Sequence, residues 1–282
     1  IIAEAGVNHN GNIILAKKLI NEAAKSGADF IKFQTFKAEN LVTKNATKAP
    51  YQRKNGNKKE IEKYKILKKY ELNKKKIISL KKYCHQKKIK FLSSIFDIES
   101  FDLLNSINEN NIKIPSSEID NYPLLKHLSK YNKKYFLSTG ISNIKEIKQC
   151  VKILLSGKVK INNLYIMHCN SSYPTNFNEL NLNNITTLQN NFNCNIGFSD
   201  HSIGVEGSIA AVALGAKVIE KHFTLDKNYS NFRDHKLSAD PDEMSKLVKS
   251  VRKSSTMVGM YTKVISKNEK KNLNSMRRSL YA

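Results

Sequence analysis

Short apolar stretches alternate with longer stretches of helical periodicity along the whole chain. The first unit is the apolar stretch IIAEA, followed by the loop GVNHNG and by a pattern that predicts a helix over residues 13–26. Seven further apolar stretches follow, separated by helical patterns: GADFIKFQTF, KFLSSIF, IKIPSSE, KYFLSTG, LYIMHCN, CNIGFSD and KVIEKHF. We interpret the eight stretches as the β-strands of an α/β protein.

A closed (β/α)8 barrel, the TIM barrel, is the fold that this alternation favours. Eight strand–helix units cover both faces of every strand and leave no strand edge exposed, and 282 residues suit such a barrel. The alternative, an open doubly wound sheet, typically has a GxGxxG turn after its first strand, and GVNHNG does not have this form. A long polar insertion, residues 37–73, contains the segment IEKYKILKKYEL, which is predicted to be helical.

Two histidines lie where apolar strands end, in the stretch from Gly197 to Asp234. His201 follows CNIGFSD, and His222 ends KVIEKH, where strand alternation places it on the same face as Glu220. The small apolar segment between the two strands predicts a crossover helix, so the strands are parallel neighbours with both histidines at one end. One metal ion could then bind both imidazoles. The alternative is that each histidine only caps its strand or bonds a backbone carbonyl.

Polar residues recur at the carboxyl ends of most strands, where TIM-barrel enzymes build their sites. In strand order they are Glu4, Lys32 and Gln34, Lys113, Ser138 and Thr139, His168 and Asn170, and Ser199. Buried charges are costly unless they are paired, so their convergence predicts a ligand site. Lysines beside small hydroxyls suit a phosphate or carboxylate, and a metal with two histidine ligands suits a polarised carbonyl.

The chain is strongly basic, with 48 lysines and arginines against 24 acidic residues and a formal net charge of +24. A nucleic-acid-binding protein is one interpretation of this charge. The other is that lysines form the solvated faces of amphipathic helices such as KKKIISLKKYCHQKK, in a chain also rich in asparagine and isoleucine. We favour the second interpretation and expect no nucleic-acid partner.

The cysteines and the hydropathy bear on cellular location. Four widely spaced cysteines without a CxxC pair predict free thiols and a cytoplasmic protein. No apolar run approaches 18 residues, so we expect no membrane association. The chain has no signal peptide and opens on a strand without an initiator methionine, and we expect it to be clipped at this end.

A series of motifs spans the chain from Ile1 to Ala282: IIAEAGVNHNG, ADFIKFQTFKAENL, KAPYQ, KIPSSEIDNYPLLK, LSTG, HCNSSYPT, GFSDHSIG, and EKHFTLDK with a following DH. In order and spacing they resemble the sialic acid synthases, the phosphoenolpyruvate-dependent N-acetylneuraminate synthase family. GFSDHSIG, EKHFTLD and KFQTF in combination make this resemblance specific. Any one of these motifs alone would be weak evidence.

The resemblance implies a transferase that condenses phosphoenolpyruvate with an N-acetylmannosamine-type sugar to give a nonulosonic (sialic) acid and phosphate. The enol carbon attacks a metal-polarised aldehyde, water adds to the resulting cationic centre, and phosphate leaves with C–O cleavage. The alternative acceptor is 2,4-diacetamido-2,4,6-trideoxymannose, as in legionaminic acid synthesis. Mn²⁺ is the expected ion, with Mg²⁺ and Co²⁺ as alternatives, and the resemblance also implies a homodimer.

By the same resemblance, individual residues receive roles. The metal ligands are His201 and His222. The residues that hold phosphoenolpyruvate are Lys32, Lys113, Ser116, Ser138 and Ser199. The residues that contact the acylated amino sugar are Glu4, Gln34, Tyr173 and Asp234. Glu118 lies beside the reacting carbons, and the expected catalytic groups are Glu118, Glu4 and Lys32.

Several positions depart from the usual family pattern. SSIFD stands where STPFD is usual, Ser117 where glycine is usual, and Ser171 and Ser172 where Thr-Glu or Asn-Ile is common. Phe232 and Arg233 replace Gly-Pro before Asp234. The first three departures lie near the expected phosphoenolpyruvate and sugar sites, so the choice of sugar stays open. The metal and lysine positions are unchanged.

The closing MRRSLYA resembles a linker that leads, in that family, into a small antifreeze-like C-terminal domain. We therefore predict a catalytic barrel over residues 1–265 and the start of this linker over residues 266–282. In the family, the antifreeze-like domain of one chain covers the barrel mouth of its partner. Without it, we expect this chain to bind metal and phosphoenolpyruvate but to condense sugar poorly.

Two other functional classes remain as alternatives. A metal-dependent barrel phosphoesterase or nuclease would fit the basic charge, but seven histidines with one convincing pair are few ligands for it. An inactive barrel used as a binding module is disfavoured by the retained lysines and histidines.

Overall fold

Eight parallel strands close into a barrel in the computed structural model, which describes residues 1–42, 63–229 and 233–278. The strands are β1 (Ile2–Gly6), β2 (Phe30–Thr35), β3 (Lys90–Ile95), β4 (Asn111–Ile114), β5 (Lys134–Ser138), β6 (Leu164–Cys169), β7 (Asn195–Asp200) and β8 (Val218–His222). Each strand pairs with its neighbours in sequence, and β1 also pairs with β8. The predicted TIM barrel is confirmed and the open sheet is wrong, because an open sheet would leave β1 and β8 unpaired.

Helices separate the strands and cover the barrel. They are α1 (Ile13–Lys25), α2 (Ala38–Leu41), α3 (Lys63–Tyr70), α4 (Lys74–Gln86), α5 (Ile98–Ser106), α6 (Tyr122–Ser129), α7 (Ile144–Leu155), α8 (Asn183–Asn191), α9 (Glu206–Ala213), α10 (Arg233–Leu237), α11 (Pro241–Val258), α12 (Lys267–Lys271) and α13 (Leu273–Met276). None of the helices in the described ranges is long and apolar enough to cross a membrane.

The predicted boundaries hold except at the fourth strand. IKIPSSE was expected to be one strand, but β4 ends at Ile114 and residues Ser116–Glu118 form a 3₁₀ turn. Pro115 explains the difference, since it has no N–H group to continue the ladder. The predicted helix in IEKYKILKKYEL is confirmed as α3, while Ile61, Glu62 and the KAPYQ motif lie outside the described residues.

The helices bury one face each, as their periodicity predicts. In α1 the buried positions are Ala16, Leu19, Ile20 and Ala23, spaced to form one stripe against the strands. In α4 the buried positions are Ile77, Leu80 and Cys84, while lysines 74, 75 and 82 are exposed. These lysines therefore lie on a solvated helix face. All four cysteines are free thiols.

The barrel interior has an apolar floor beneath a polar layer. The floor is a separate buried cluster of Ile2, Leu92, Phe136 and Met167. One step further toward the carboxyl ends of the same strands lie Glu4, Ser94, Ser138 and Cys169, because every second residue of a strand faces the interior. The fold thus brings the polar strand ends together at one mouth of the barrel.

The last long helix, α11, packs against α1 and α9. Beyond it, none of the residues of α12 and α13 is buried. The division into a barrel over residues 1–265 and a linker from residue 266 stays a prediction.

Candidate active site

Four charged side chains form a compact cluster in the polar layer of the barrel. Lys32 Nζ lies 2.8 Å from Glu4 Oε1 and 3.7 Å from Glu220 Oε1, and Lys113 Nζ lies 2.9 Å from Glu220 Oε2. All four side chains are at most 6% exposed. Two ammonium groups and two carboxylates balance formally, which explains how the chain tolerates four charges in its interior.

The two carboxylates differ in their electrostatic environment. Burial, reinforced by the neighbouring Glu220, raises the pKa of Glu4 to about 7, although Lys32 opposes the shift. Burial also acts to raise the pKa of Glu220, but Lys113 and Lys32 together outweigh it and hold that pKa well below its usual range. The pKa of Lys32 is raised because Glu220 and Glu4 outweigh its desolvation. Glu220 is thus the fixed anion of the cluster, and Glu4 is close to its protonation midpoint at neutral pH.

Small hydroxyl groups surround the lysines. Lys32 Nζ donates to Ser94 Oγ at 3.0 Å, and Ser199 Oγ donates to Glu220 Oε1 at 2.8 Å. Ser138 is buried at the end of β5. Ser116 Oγ accepts the backbone N–H of Gly140 at 2.9 Å, which ties the β4 turn to the loop after β5. All the residues predicted to hold phosphoenolpyruvate therefore lie at the same end of the barrel.

The two predicted metal ligands face each other at the ends of β7 and β8. The rings of His201 and His222 are 5.4 Å apart between centroids, and Tyr173 stacks on His201 at 4.2 Å. His201 Nδ1 donates to the carbonyl oxygen of Asn170 at 2.5 Å, which directs Nε2 away from the backbone. The predicted proximity of the two histidines is confirmed.

The residues present fit a divalent cation. Burial lowers the pKa of His201 to about 4, and burial together with His201 lowers the pKa of His222 well below its usual value. Both imidazoles are therefore neutral and able to donate a lone pair at neutral pH. Within the part of the chain that the structure describes, His222 Nδ1 is buried without a hydrogen-bond partner, which suits an atom that binds a ligand. The described ranges contain no cluster of three or more histidine, cysteine or acidic ligands. The protein would supply two ligands and leave the other positions to water and substrate.

Glu118 is held within its own turn. Ser117 Oγ donates to Glu118 Oε1 at 2.9 Å, and Asn121 Nδ2 donates to Oε2 at 2.7 Å. Ser117 is one of the positions that depart from the family pattern, and its hydroxyl here orients the predicted catalytic carboxylate.

The two remaining predicted sugar contacts lie at the rim. The amide of Gln34 lies near Gly6 and Glu4, since a Cβ built on Gly6 falls 3.6 Å from Gln34 Nε2 and 3.3 Å from Glu4 Oε1. Asp234 is in α10. Its backbone carbonyl oxygen accepts a hydrogen bond from the Ser238 hydroxyl. Ser238 in turn accepts Asn8 Nδ2 at 3.2 Å, so the loop after β1 supports the helix that carries Asp234.

His168 lies apart from the charged cluster, although the sequence grouped it with the polar strand ends that were expected to converge. Its Nε2 bonds the carbonyl oxygen of Leu180 at 2.9 Å, and its ring stacks on Phe198 at 5.6 Å. Met167 and Cys169 occupy the interior face of β6 instead, with Cys169 Sγ 3.4 Å from Ser116 Oγ. The Asn170 side chain is likewise bonded to its own loop, at the carbonyl of Glu179.

A cavity of about 730 Å³ lies between the loops after β5 and β6 and the helices α7 and α8, and His168 and Asn170 are among its lining residues. Hydroxyl and amide side chains such as Ser142, Asn143, Ser171 and Asn184 line it, together with Cys169. None of the four charged residues of the cluster lines this cavity, so the two are separate features of the barrel mouth.

Glu220 is the main site residue to which the sequence assigned no role. Glu220 lies two residues before His222, so strand alternation predicts that it faces the interior. The pattern does not show which cations it pairs with across the barrel. Those partners, Lys113 and Lys32, come from strands four and two, and only the closed register brings them within reach.

Comparison with protein families gives a match to the NeuB family over residues 19–263. An N,N'-diacetyllegionaminic acid synthase from Campylobacter jejuni is 48% identical over 284 residues, covering 100% of this chain and 84% of that protein. A second protein with this name, from Legionella pneumophila, is 40% identical over 271 residues, covering 95% and 76% of the two chains.

Among solved structures, an N-acetylneuraminic acid (sialic acid) synthetase from Leptospira borgpetersenii, crystallised with citrate, superposes with a TM-score of 0.85. It is 34% identical, and the alignment covers 99% of this chain and 92% of that one.

Proposed function

This chain belongs to the NeuB family, and from that premise we propose that it condenses phosphoenolpyruvate with an acylated amino sugar to give a nonulosonic acid and phosphate. The observation that carries the proposal is the pairing, at one barrel mouth, of a two-lysine cluster with two neutral, facing histidines. The first group suits an anion, and the second suits a divalent ion beside it.

Lys32 and Lys113 would bind the phosphoenolpyruvate anion. Both ammonium groups are buried and pair with carboxylates in the free chain, so an incoming phosphate or carboxylate would share them with Glu4 and Glu220. The hydroxyls of Ser116, Ser138 and Ser199 would supply short donors around the same anion. Bound in this way, phosphoenolpyruvate would present its enol carbon to the histidines.

His201 and His222 would hold the metal ion on which synthases of this family depend, and we propose Mn²⁺ for it. Such an ion polarises the aldehyde of the open-chain sugar when it is bound. Glu4, Gln34, Tyr173 and Asp234 would orient the sugar, and Tyr173 would also brace the His201 ring against which it stacks.

The carboxyl groups of Glu118 and Glu4 would transfer protons during the reaction. Carbon–carbon bond formation leaves a cationic centre at the former enol carbon, water adds there, and phosphate departs with C–O cleavage. Glu118, held in place by Ser117 and Asn121, is the proposed acceptor of the proton lost by water. Glu4, with its pKa raised to about 7, is the proposed donor to the aldehyde oxygen.

For the acceptor we propose 2,4-diacetamido-2,4,6-trideoxymannose over N-acetylmannosamine. The two relatives named as N,N'-diacetyllegionaminic acid synthases are 48% and 40% identical, against 34% for the sialic acid synthetase. We expect kcat/KM for the diacetamido sugar to exceed that for N-acetylmannosamine by at least about tenfold, a difference of roughly 1.4 kcal/mol in transition-state binding. Phosphate release with each sugar at matched phosphoenolpyruvate concentrations measures this ratio. Equal values, or a preference for N-acetylmannosamine, would reverse the assignment.

We further propose a cytoplasmic homodimer. Large apolar side chains are exposed at the end of α11 and in the segment after it: Met257, Met260, Tyr261 and Val264 are 68%, 75%, 103% and 54% exposed. Contiguous exposed apolar groups are typical of association surfaces. Sedimentation equilibrium should give twice the chain mass, and Met260→Lys/Tyr261→Lys should weaken association where Ile14→Lys, a change of an exposed residue on α1, does not. A monomeric parent chain at micromolar concentration would argue against the dimer.

A further inference from the structure

The residue that precedes each proposed metal ligand belongs to one buried ion pair. Asp200 comes directly before His201, and Lys221 comes directly before His222. Asp200 and Lys221 are register partners on β7 and β8, and Lys221 Nζ lies 3.1 Å from Asp200 Oδ2. Their side chains are 0% and 1% exposed.

This pair lies on the opposite face of the strands from the charged cluster. Strand alternation turns Lys221 away from the interior that Glu220 and His222 face, toward the layer between β7, β8 and α9. Gly207 of α9 packs directly over it, since a Cβ built there would fall 3.4 Å from Asp200 Oδ2 and 3.2 Å from Ser202 Oγ. Because Gly207 has no side chain, the backbone of α9 lies close to the Asp200–Lys221 pair.

Directional bonds from the pair fix both residues that flank His201. Asp200 Oδ1 accepts the Ser202 backbone N–H at 2.9 Å and the Ser202 hydroxyl at 2.6 Å, forming a tight turn around His201. Asp200 Oδ2 accepts the Ser208 hydroxyl at 2.7 Å. Lys221 Nζ donates to the Ser202 carbonyl at 2.5 Å. Lys221, the residue before His222, therefore contacts both neighbours of His201: the Asp200 carboxylate and the Ser202 carbonyl.

We propose that Asp200 and Lys221 are a positioning pair that sets the spacing of His201 and His222 for one divalent ion. Buried ion pairs are poor stabilisers compared with apolar contacts of the same volume, so stability alone does not account for this one. An apolar pair at these positions would pack without fixing the loop after β7. The inference rests on the metal site of the proposed function.

The test is Mn²⁺ binding by titration calorimetry, without substrates, for the parent chain and for Lys221→Met. Groups that orient metal ligands typically contribute 10- to 100-fold to affinity, and we expect a loss of about this size. Lys133→Met is the matched control. Lys133 is 7% exposed and donates to the Glu109 carbonyl at 2.6 Å, but it lies before β5, at the opposite end of the barrel. That variant should lose thermal stability and keep the parent affinity for Mn²⁺.

Three outcomes separate the inference from its premise. Equal Mn²⁺ affinity in Lys221→Met and the parent would overturn the positioning pair and leave the metal site standing. No Mn²⁺ binding by the parent would overturn the metal site itself. If Lys221→Met does not fold, Ser208→Ala takes its place, because it removes one hydrogen bond to Asp200 without changing charge. An unchanged Mn²⁺ affinity in Ser208→Ala would also overturn the inference.

Discussion

Replacing His222 with alanine should abolish metal-dependent turnover while the barrel stays folded. His222 is one of two neutral imidazoles that face each other at 5.4 Å, and its buried Nδ1 has no hydrogen-bond partner among the described residues. Loss of one of two protein ligands should lower metal affinity beyond useful concentrations, and with it the polarisation of the aldehyde. We expect kcat to fall by at least about a hundredfold, or roughly 2.7 kcal/mol. Phosphate release at the Mn²⁺ concentration that saturates the parent chain measures the loss.

His168→Ala is the matched control for this experiment. His168 is also a buried histidine near a strand end, but it bonds the Leu180 carbonyl and stacks on Phe198 outside the barrel interior. This variant should bind Mn²⁺ as the parent does. If His222→Ala retained full activity as a purified, folded protein, the assignment of the metal site to this histidine pair would be wrong.

Replacing Lys113 with methionine should raise the KM for phosphoenolpyruvate by at least about tenfold, equivalent to roughly 1.4 kcal/mol. Lys113 is buried and its ammonium group contacts Glu220 at 2.9 Å, so methionine keeps much of the volume and removes only the cation. The same change leaves Glu220 with Lys32 as its remaining cation, which adds repulsion toward an incoming anion. Steady-state kinetics with each substrate varied in turn checks the prediction.

A second variant separates the loss of charge from damage to the fold. Lys113→Met/Glu220→Gln restores the charge balance of the cluster and should recover stability lost in the single variant. The raised KM for phosphoenolpyruvate should persist, because the cation is still missing. The assignment of Lys113 to the anion fails if the KM for the sugar moves instead and that for phosphoenolpyruvate does not.

The sequence predicts the barrel well because a parallel α/β barrel repeats a local pattern. Each strand is a short apolar stretch and each helix buries one stripe, as in α1, so the assignment does not depend on contacts between distant residues. Glu4, Lys32 and Lys113 could be placed inside the barrel because each lies between apolar residues, and His222 because strand alternation puts it on the same face as Glu220. The prediction of one strand over IKIPSSE was wrong because Pro115 ends the hydrogen-bonded ladder after Ile114.

Other features of the site depend on the tertiary structure. β6 reads LYIMHC, with apolar residues on both faces, so alternation alone does not show which face of the strand His168 occupies. The partners of Glu220 and the Asp200–Lys221 pair are contacts between strands, and they follow from barrel register rather than from spacing along the chain. The rim residue Asp234 is positioned by Ser238 and Asn8, which is 226 positions away in the sequence.

Phosphate release from phosphoenolpyruvate, measured with and without the amino sugar and with and without a divalent ion, tests the central claim most directly. The account predicts release only when the diacetamido sugar and Mn²⁺ are both present, and its loss when a chelator removes the ion. Release without any sugar would identify a phosphoesterase instead. No release under any condition, from a folded chain that binds both Mn²⁺ and phosphoenolpyruvate, would contradict the proposed condensation.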